Sequence, residues 1–298
     1  MSFREELIQA NQLNEVFAQA GYVLDPDLAV ILFLLLKLDK PLLIEGHAGV
    51  GKTEAANALA QALDTELIRL QCYEGLDVNT AVYEWNYQKQ LLAIKTLEQK
   101  DESSVSEQQI FSRDYLLQRP LLRAISAEHK APVLLIDEID RADEEFEAFL
   151  LELLSAFQIS IPELGTIQAR HKPLVILTSN RSRELSDALK RRCLYHWIDY
   201  PSFDKERRIL SKRIPHLSAS IADRIVSFVQ ALRPLQLAKT PGVAETLDWA
   251  AALLALGSSD LHPEQVRSSL GCLLKTTQDL ERITGDELER LLASAHAN

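Results

Sequence analysis

A glycine-rich loop between an apolar run and a helical segment constrains this sequence more than any other feature. The segment reads "PLLIEGHAGVGKTEAANALAQAL" from Pro41 to Leu63. Residues 42–45 predict a buried strand, and the residues from Thr53 onward predict a helix. Glycine permits the backbone conformations that a tight loop at this junction requires. A strand, a loop and a helix in this order are typical of an α/β fold with a parallel sheet.

The same loop predicts a binding site for the phosphates of a nucleotide. Its residues match the pattern G-x-x-x-x-G-K-[ST]. In that pattern backbone N–H groups point at an anion, the lysine reaches the β- and γ-phosphates, and the hydroxyl binds Mg²⁺. We therefore predict ATP and Mg²⁺ as cofactors, with Thr53 and Asp137 at the metal. The predicted cofactor-binding residues are Gly46, His47, Ala48, Gly49, Val50, Gly51, Lys52, Thr53, Glu54 and Asp137.

A second apolar run, "VLLIDEID", ends in two carboxylates, Asp137 and Glu138. Carboxylates that follow a strand of an open α/β sheet emerge at its carboxyl edge, where such sheets bind ligands. Asp137 is predicted to hold the Mg²⁺ shell, and Glu138 to act as general base toward water. The sequence lacks the N-K-x-D motif of a GTPase, and the paired carboxylates favour hydrolysis over transfer to a small molecule. An acidic strand end that simply meets solvent is the alternative.

Two further polar positions extend this pattern. Asn180 ends the run "LVILTSN", where an amide could orient a water molecule; a turn asparagine is the alternative. Arg191 and Arg192 lie in "DALKRRC", at the end of a predicted helix. They are read either as a cationic helix terminus or as an arginine finger that completes a neighbouring subunit's site. The predicted catalytic residues are therefore Glu138, Asn180, Arg191 and Arg192.

The chain divides into two regions with different sequence patterns. From about 40 to 200, short apolar runs alternate with helical segments, which predicts a three-layer αβα core. From about 204 onward every segment has helical periodicity. We predict an α/β nucleotide-binding core over 1–202, including N-terminal helices, and a small all-α lid over 203–298. Residues from about 80 to 112 are expected to form an added element, and "FQISIPELGTIQA" predicts a β-hairpin.

Charge and cysteine content narrow the class of protein. The formal net charge is −11, which disfavours a general nucleic-acid binder because phosphates are neutralised by Lys and Arg. The cysteines are Cys72, Cys193 and Cys272, and none forms a C-x-x-C pair. Buried reduced thiols are therefore expected, in place of a zinc cage or a disulfide framework. With no predicted transmembrane segment or signal peptide, the protein is expected in the cytoplasm.

The order of these elements, from the phosphate loop to the arginines and the helical region, is that of an AAA+ ATPase. The stretch "DEIDRADEEFEAFLLELLSAFQISIPELGTI" resembles the MoxR family of AAA+ ATPases. The segments "RLQCYEGLD", "YEWNY", "LTSNRSRELSDALKRRCLYHWIDYP" and "TPGVAETLDWA" resemble its CoxD-like branch more narrowly. The resemblance covers nearly the whole chain and implies an αβα core with a helical lid.

The resemblance also implies residue roles and partners. By position, Gly46, Gly51, Lys52 and Thr53 match the Walker A motif, Asp137 and Glu138 match Walker B, Asn180 matches sensor 1, and Arg191 or Arg192 matches the arginine finger. It implies a homo-oligomeric ring, usually a hexamer, a client protein or metalloenzyme such as a molybdenum-containing CO dehydrogenase, and a partner with a von Willebrand factor A domain. One position departs from the family. Many relatives place a sensing arginine at the start of a lid helix, where this sequence has Gly242. Either Lys239 substitutes for it or the lid couples to the nucleotide differently, so the sensor is left unassigned.

Two other functions stay open. The first is a nucleic-acid motor, which the acidic net charge disfavours. The second is a scaffold that binds ATP without hydrolysing it, which the carboxylate pair and the arginine pair disfavour. The hairpin is expected either to face the pore of a ring or to cap a sheet edge. Tyr83, Trp85 and Tyr87 alternate like one face of a strand and are read as packing residues or as a substrate-gripping loop.

Overall fold

The computed structural model describes residues 10–98 and 110–297. Within these residues the strands are β1 (Leu42–Gly46), β2 (Leu67–Gln71), β3 (Tyr83–Trp85), β4 (Leu116–Gln118), β5 (Val133–Asp137), β6 (Gln158–Ile161), β7 (Gly165–Gln168), β8 (Leu174–Ser179) and β9 (Leu194–Ile198). The α-helices are α1 (Ala10–Gln19), α2 (Pro26–Leu38), α3 (Lys52–Ala62), α4 (Val78–Val82), α5 (Tyr87–Glu98), α6 (Pro120–Ile125), α7 (Glu144–Ala156), α8 (Asp187–Arg192), α9 (Phe203–Arg213), α10 (Ala219–Leu232), α11 (Val243–Ala255), α12 (Pro263–Ser269), α13 (Thr277–Arg282) and α14 (Asp286–Ala297).

The central sheet has five strands in the order β2-β5-β8-β1-β9. Parallel pairing joins β2 to β5, β5 to β8 and β8 to β1. Every residue of β1, β5 and β8 is buried, because strands covered on both faces meet no solvent. The predicted fold class, a parallel sheet with flanking helices followed by a helical region, is confirmed.

The register of the sheet brings the functional strand ends to one edge. Glu45 at the end of β1 pairs with Ser179 at the end of β8. Ile136 pairs with Leu177 on the other side of β8, so Asp137 reaches the same edge. The carboxyl ends of three adjacent strands therefore place their last polar residues close together.

The described residues form two compact units. Those in Met1–Leu13, Pro26–Glu45 and Ala56–His196 make the first, and those in Asn14–Asp25, Gly46–Ala55 and Trp197–Asn298 make the second. The second unit thus includes the glycine-rich loop as well as the C-terminal helices. Among the described helices, none combines the length and the apolarity needed to cross a bilayer.

The core of the first unit is built where α7 and the sheet bury apolar side chains. Asp143 caps α7 by accepting a hydrogen bond from the Phe146 N–H at 2.8 Å, and Phe146 itself is only 1% exposed. The helix ends where Phe157 adopts a left-handed conformation with φ 48°. This turn leads directly into β6.

The first unit also contains two antiparallel ribbons, each with residues buried in its core. The predicted hairpin is confirmed, since β6 and β7 pair from Gln158–Gln168 to Ile161–Gly165. The predicted added element, about 80–112, contains β3 and α5, and β3 pairs with β4, which lies just beyond the predicted bounds; residues 99–109 lie outside the described residues. The strand reading of Tyr87 is wrong, because β3 ends at Trp85 and Tyr87 begins α5 with 63% of its surface exposed.

The core of the second unit lies among its C-terminal helices. Trp249 on α11 is fully buried, packs against Phe228 on α10 and donates to Ser269 Oγ at 2.8 Å. The N-caps of α9 and α10 are Ser202 and Ser218, whose hydroxyls accept backbone N–H groups of the first helical turn. The helical periodicity of the sequence from 204 onward therefore corresponds to helices.

Candidate functional site

The glycine-rich loop begins where β1 ends, and its first glycine has a steric reason. A Cβ on Gly46 would lie 2.2 Å from the Ile198 carbonyl oxygen, so no other residue fits without moving the backbone. Helix α3 begins at Lys52, whose Nζ donates to the carbonyl oxygens of Gly46 at 2.9 Å and His47 at 2.7 Å. The ammonium group therefore lies within the loop, and the Lys52 side chain is buried.

These features fit the phosphates of a nucleotide. A buried ammonium, backbone N–H groups of a curled loop and the N-terminus of an 11-residue helix all favour bound negative charge. Thr53, in the first turn of α3, supplies the hydroxyl that the motif assigns to Mg²⁺. Glu54, predicted among the cofactor-binding residues, forms an ion pair with Arg213 of α9.

His47 packs against residues that follow β9. Its ring stacks on Tyr200, with the centroids 4.4 Å apart and the planes 8° apart. It also meets the edge of Trp197 at 5.4 Å. The predicted loop residue thus has a packing role, and its ring helps to fix the loop.

In the first unit, Asp137 at the end of β5 is 3% exposed, and its carboxylate accepts hydrogen bonds from Arg69 and Thr178. Arg69 on β2 donates Nε at 3.0 Å and Nη2 at 2.6 Å to one carboxylate oxygen. Thr178 on β8 donates its hydroxyl to the other oxygen at 2.5 Å. A carboxylate fixed in this way has a set orientation and can hold a water of a Mg²⁺ shell. The sequence analysis missed Arg69.

Glu138 follows in a left-handed turn, with φ 55° and ψ 50°. This conformation is uncommon for a residue other than glycine and is concentrated at functional sites. The Glu138 N–H donates to Thr178 Oγ1 at 3.0 Å, which fixes the turn. Its carboxylate oxygens lie 3.5 Å from Asn180 Nδ2 and 3.3 Å from Arg141 Nη1. The structure therefore brings together Glu138 and Asn180, two of the predicted catalytic residues.

A buried carboxylate positions the loop that carries Asn180. Asp140 is 2% exposed and accepts the Asn180 N–H at 3.2 Å. Its other oxygen accepts the N–H and the hydroxyl of Ser182 at 2.8 and 2.7 Å. No role for Asp140 was predicted from the sequence. In the structure its carboxylate holds the loop that carries Asn180.

A second buried carboxylate, Glu45, lies at the end of β1 and was also missed. It accepts hydrogen bonds from Arg181 Nε at 2.6 Å and from the Tyr195 hydroxyl at 3.1 Å. Arg181 also donates to Tyr195 at 2.9 Å, which closes a three-residue cluster beside Asn180. The signal for it was a charged residue inside the otherwise apolar run "PLLIEG".

The two candidate finger arginines lie apart from this cluster. Helix α8 begins after the N-cap Ser186 and carries Arg191 and Arg192 in its last turn, both exposed. Arg192 Nη1 contacts the Ala188 carbonyl oxygen at 3.3 Å. Across residues 10–98 and 110–297, neither arginine is found in an ion pair with Glu138 or Asp137.

The cysteine beside the acidic cluster is not a nucleophile. Burial, and then the negative charges of Asp137, Asp140 and Glu138, raise the pKa of the Cys72 thiol to about 12. Burial raises the pKa of Cys193 to about 12 as well. Both thiols are therefore protonated at neutral pH and unreactive. The cysteines are free, as the sequence predicted, but the expected burial holds only for Cys72, since Cys193 and Cys272 are partly exposed.

The chain is similar to known proteins in three comparisons. The AAA domain model (dynein-related subfamily) matches residues 41–193, more than half of the chain. Uncharacterized proteins of Staphylococcus haemolyticus (strain JCSC1435) and Staphylococcus aureus (strain bovine RF122 / ET3-1) are each 27% identical over 207 residues, which cover 67% of this chain and 71% of theirs. Among solved structures, the RuvB Holliday junction branch migration motor of Thermotoga maritima has a TM-score of 0.47 and 17% identity, covering 99% of this chain and 84% of RuvB.

The matched residues contain the glycine-rich loop, the acidic end of β5, Asn180 and both exposed arginines. The chain belongs to the AAA domain family, in its dynein-related subfamily.

Proposed function

We propose that this protein is a Mg²⁺-dependent ATPase of the MoxR type, in the CoxD-like branch, that remodels or matures a client protein. The observation that carries the proposal is the placement of Glu138. It follows the buried Asp137 in a left-handed turn and lies 3.5 Å from the Asn180 amide, in a chain that also has a phosphate loop. A carboxylate beside a neutral amide can activate one water molecule without adding further charge.

The binding step is assigned to the loop and to Asp137. Lys52 would hold the β- and γ-phosphates, in exchange for its hydrogen bonds to the Gly46 and His47 carbonyl oxygens. Thr53 and Asp137 would hold Mg²⁺, which supplies charge neutralisation on the phosphates. The two hydrogen bonds from Arg69 hold the Asp137 carboxylate in one orientation, which supports its assignment as a metal ligand.

The hydrolytic step is assigned to Glu138 and Asn180, with help from a neighbouring copy. Glu138 would accept a proton from the attacking water, and Asn180 would orient that water. Arg191 or Arg192 would stabilise negative charge at the site of the next subunit in a homo-oligomeric ring, for which we propose a hexamer. The exposure of both arginines supports this assignment, because a group that acts across an interface must be accessible.

The remaining parts of the proposal concern organisation and partners. Residues 1–202 would form the nucleotide-binding core and 203–298 the lid. Conformational change on hydrolysis would act on a client, through hairpin β6–β7 at the pore or an end of the ring. A molybdenum hydroxylase is the client class that the resemblance suggests, with a von Willebrand factor A domain protein as partner and the cytoplasm as location.

A second function is favoured by the ion pairs of the two carboxylates. Asp137 is paired with Arg69, and Glu138 contacts Arg141. If Mg²⁺ and water do not displace these arginines, the protein would bind ATP and change partner affinity without hydrolysis. Release of phosphate from ATP by the unaltered protein separates the two functions.

Lys52→Ala tests the binding step. Hydrogen bonds to a charged group contribute about 1.5–3 kcal/mol, so the variant is expected to bind Mg²⁺-ATP about 10- to 150-fold more weakly. Titration calorimetry of the full chain measures this. Lys40→Ala removes an exposed lysine just before β1 and serves as the matched control, with unchanged affinity expected. Equal affinity in the Lys52 and Lys40 variants would contradict the proposed role of the loop.

A further inference from the structure

The start of helix α11 is bonded to the phosphate loop by its backbone. The carbonyl oxygen of Gly49 accepts the N–H of Val243 at 2.9 Å and the N–H of Ala244 at 3.2 Å. Both donors belong to the first turn of α11, whose N–H groups have no partner within the helix. One carbonyl group of the loop therefore satisfies two of these donors.

This contact depends on the missing side chain of Gly242. A Cβ on Gly242 would lie 2.6 Å from the Ala48 carbonyl oxygen and 2.9 Å from Gly49 Cα. Real Cβ atoms do not approach backbone atoms this closely, so any other residue would push α11 away from the loop. Gly242 is also the position at which the family resemblance leads one to expect a sensing arginine.

The peptide between Gly49 and Val50 links α11 to the phosphates. A trans peptide is planar, and its C=O and N–H point in opposite directions. When the Gly49 carbonyl oxygen faces α11, the Val50 N–H faces the other side, and in a phosphate loop that side is the anion. Donors on the carbonyl oxygen polarise the peptide and strengthen its N–H as a donor.

We propose that α11 takes over the role of the arginine. Its N-terminus carries partial positive charge from the helix dipole, and Gly242 allows that charge to act on the phosphates through the Gly49–Val50 peptide. Gly242 is then a positioning residue for nucleotide binding, and the C-terminal helices respond to phosphate in the loop without an arginine. The inference rests on the proposed ATP binding and adds how the bound phosphates are sensed.

Glu245 allows a test in which the expected change in ligand affinity has the opposite sign. Its Oε2 accepts the Gly242 N–H at 2.9 Å, which caps α11, and it would lie 2.9 Å from a Cβ on Gly49. Its negative charge therefore lies beside the loop and opposes the helix dipole there. Glu245→Gln keeps a hydrogen-bond acceptor for the cap and removes the charge. A residue that served only as a cap would lose stability and gain no affinity.

The experiment measures binding of inorganic tripolyphosphate and of Mg²⁺-ATP to the full chain, with melting temperature recorded for every variant. Gly242→Ala should weaken both ligands about fivefold, the size of a helix-terminus effect. Gly271→Ala is the matched control, because a Cβ at Gly271 meets nothing within 4 Å. Glu245→Gln should bind tripolyphosphate about twofold more tightly at low salt, a gain that salt removes.

A proline variant provides a second test in case Gly242→Ala does not fold. Val243→Pro removes one of the two N–H groups that bond to the Gly49 carbonyl oxygen, and proline is favoured at the first position of a helix. It should weaken tripolyphosphate about twofold, whereas Ala219→Pro, at the exposed first position of α10, should leave binding unchanged. Unchanged binding in both the Gly242 and Val243 variants, or weaker binding in Glu245→Gln, overturns the inference. Failure of the unaltered chain to bind Mg²⁺-ATP overturns the proposed function and this inference together.

Discussion

Glu138→Gln is expected to lower ATP turnover by about 10²- to 10⁴-fold, the range that a positioned general base contributes. The amide has the same shape as the carboxylate and can still contact Asn180 Nδ2 and Arg141 Nη1, but it cannot accept the proton of an attacking water. Binding of Mg²⁺-ATP should stay within about twofold of the unaltered protein, because the lost interaction belongs to the transition state. Phosphate release under saturating ATP measures turnover, and calorimetry measures binding.

The matched control for this variant is Glu145→Gln, which removes an exposed carboxylate from the first turn of α7. Its turnover should equal that of the unaltered protein. Normal turnover in Glu138→Gln would remove Glu138 from the hydrolytic step. No turnover in the unaltered protein, together with tight binding of ATP, would favour the scaffold function.

The local parts of the site could be predicted because their chemistry follows the order of residues along the chain. The loop from Gly46 to Thr53 lies between a strand and a helix, and Asp137 and Glu138 end another strand. Because parallel strands end at one edge, the sequence pattern predicts that the last residues of β1, β5 and β8 share that edge. The same reasoning correctly predicted the antiparallel ribbon β6–β7 around "PELG".

The contacts that position these groups could not be predicted, since each joins residues far apart in the sequence. Glu45 pairs with Arg181, and Asp137 pairs with Arg69. In the sequence every one of these arginines reads as an ordinary surface cation. Only the register of β1, β2, β5 and β8 decides which carboxylate each arginine reaches.

The role of Gly242 could not be predicted from the sequence for a different reason. From the sequence it appears as a missing arginine, for which Lys239 is the candidate substitute. In the structure, Gly242 allows the backbone at the start of α11 to lie directly against the loop, which only glycine permits. Loss of a side chain can thus create a contact, and a sequence pattern records only the loss.

Arg233→Met is expected to lower the free energy of unfolding by about 3–5 kcal/mol, because it leaves a buried charge without its partner. Glu206 is fully buried, and Arg233 donates to its two oxygens at 2.8 and 2.6 Å. Gln230 and Thr246 also donate to Glu206, at 2.9 and 2.8 Å, but neither carries a charge. Urea unfolding followed by circular dichroism measures the loss.

An exposed ion pair serves as the control that tests whether burial causes the expected loss of stability. Arg290 is 79% exposed and lies 3.7 Å from Glu287, so Arg290→Met should cost less than about 1 kcal/mol. Adding Glu206→Gln to Arg233→Met should recover part of the lost stability, because the neutral amide has a smaller desolvation cost than an unpaired carboxylate. A loss in Arg233→Met as small as that in Arg290→Met would mean that water reaches Glu206 and that α9, α10 and α11 do not enclose it.

Arg233 also donates to the Pro241 carbonyl oxygen at 3.1 Å, one residue before Gly242. Arg233→Met should therefore weaken tripolyphosphate binding as well as stability, whereas Arg290→Met should change neither.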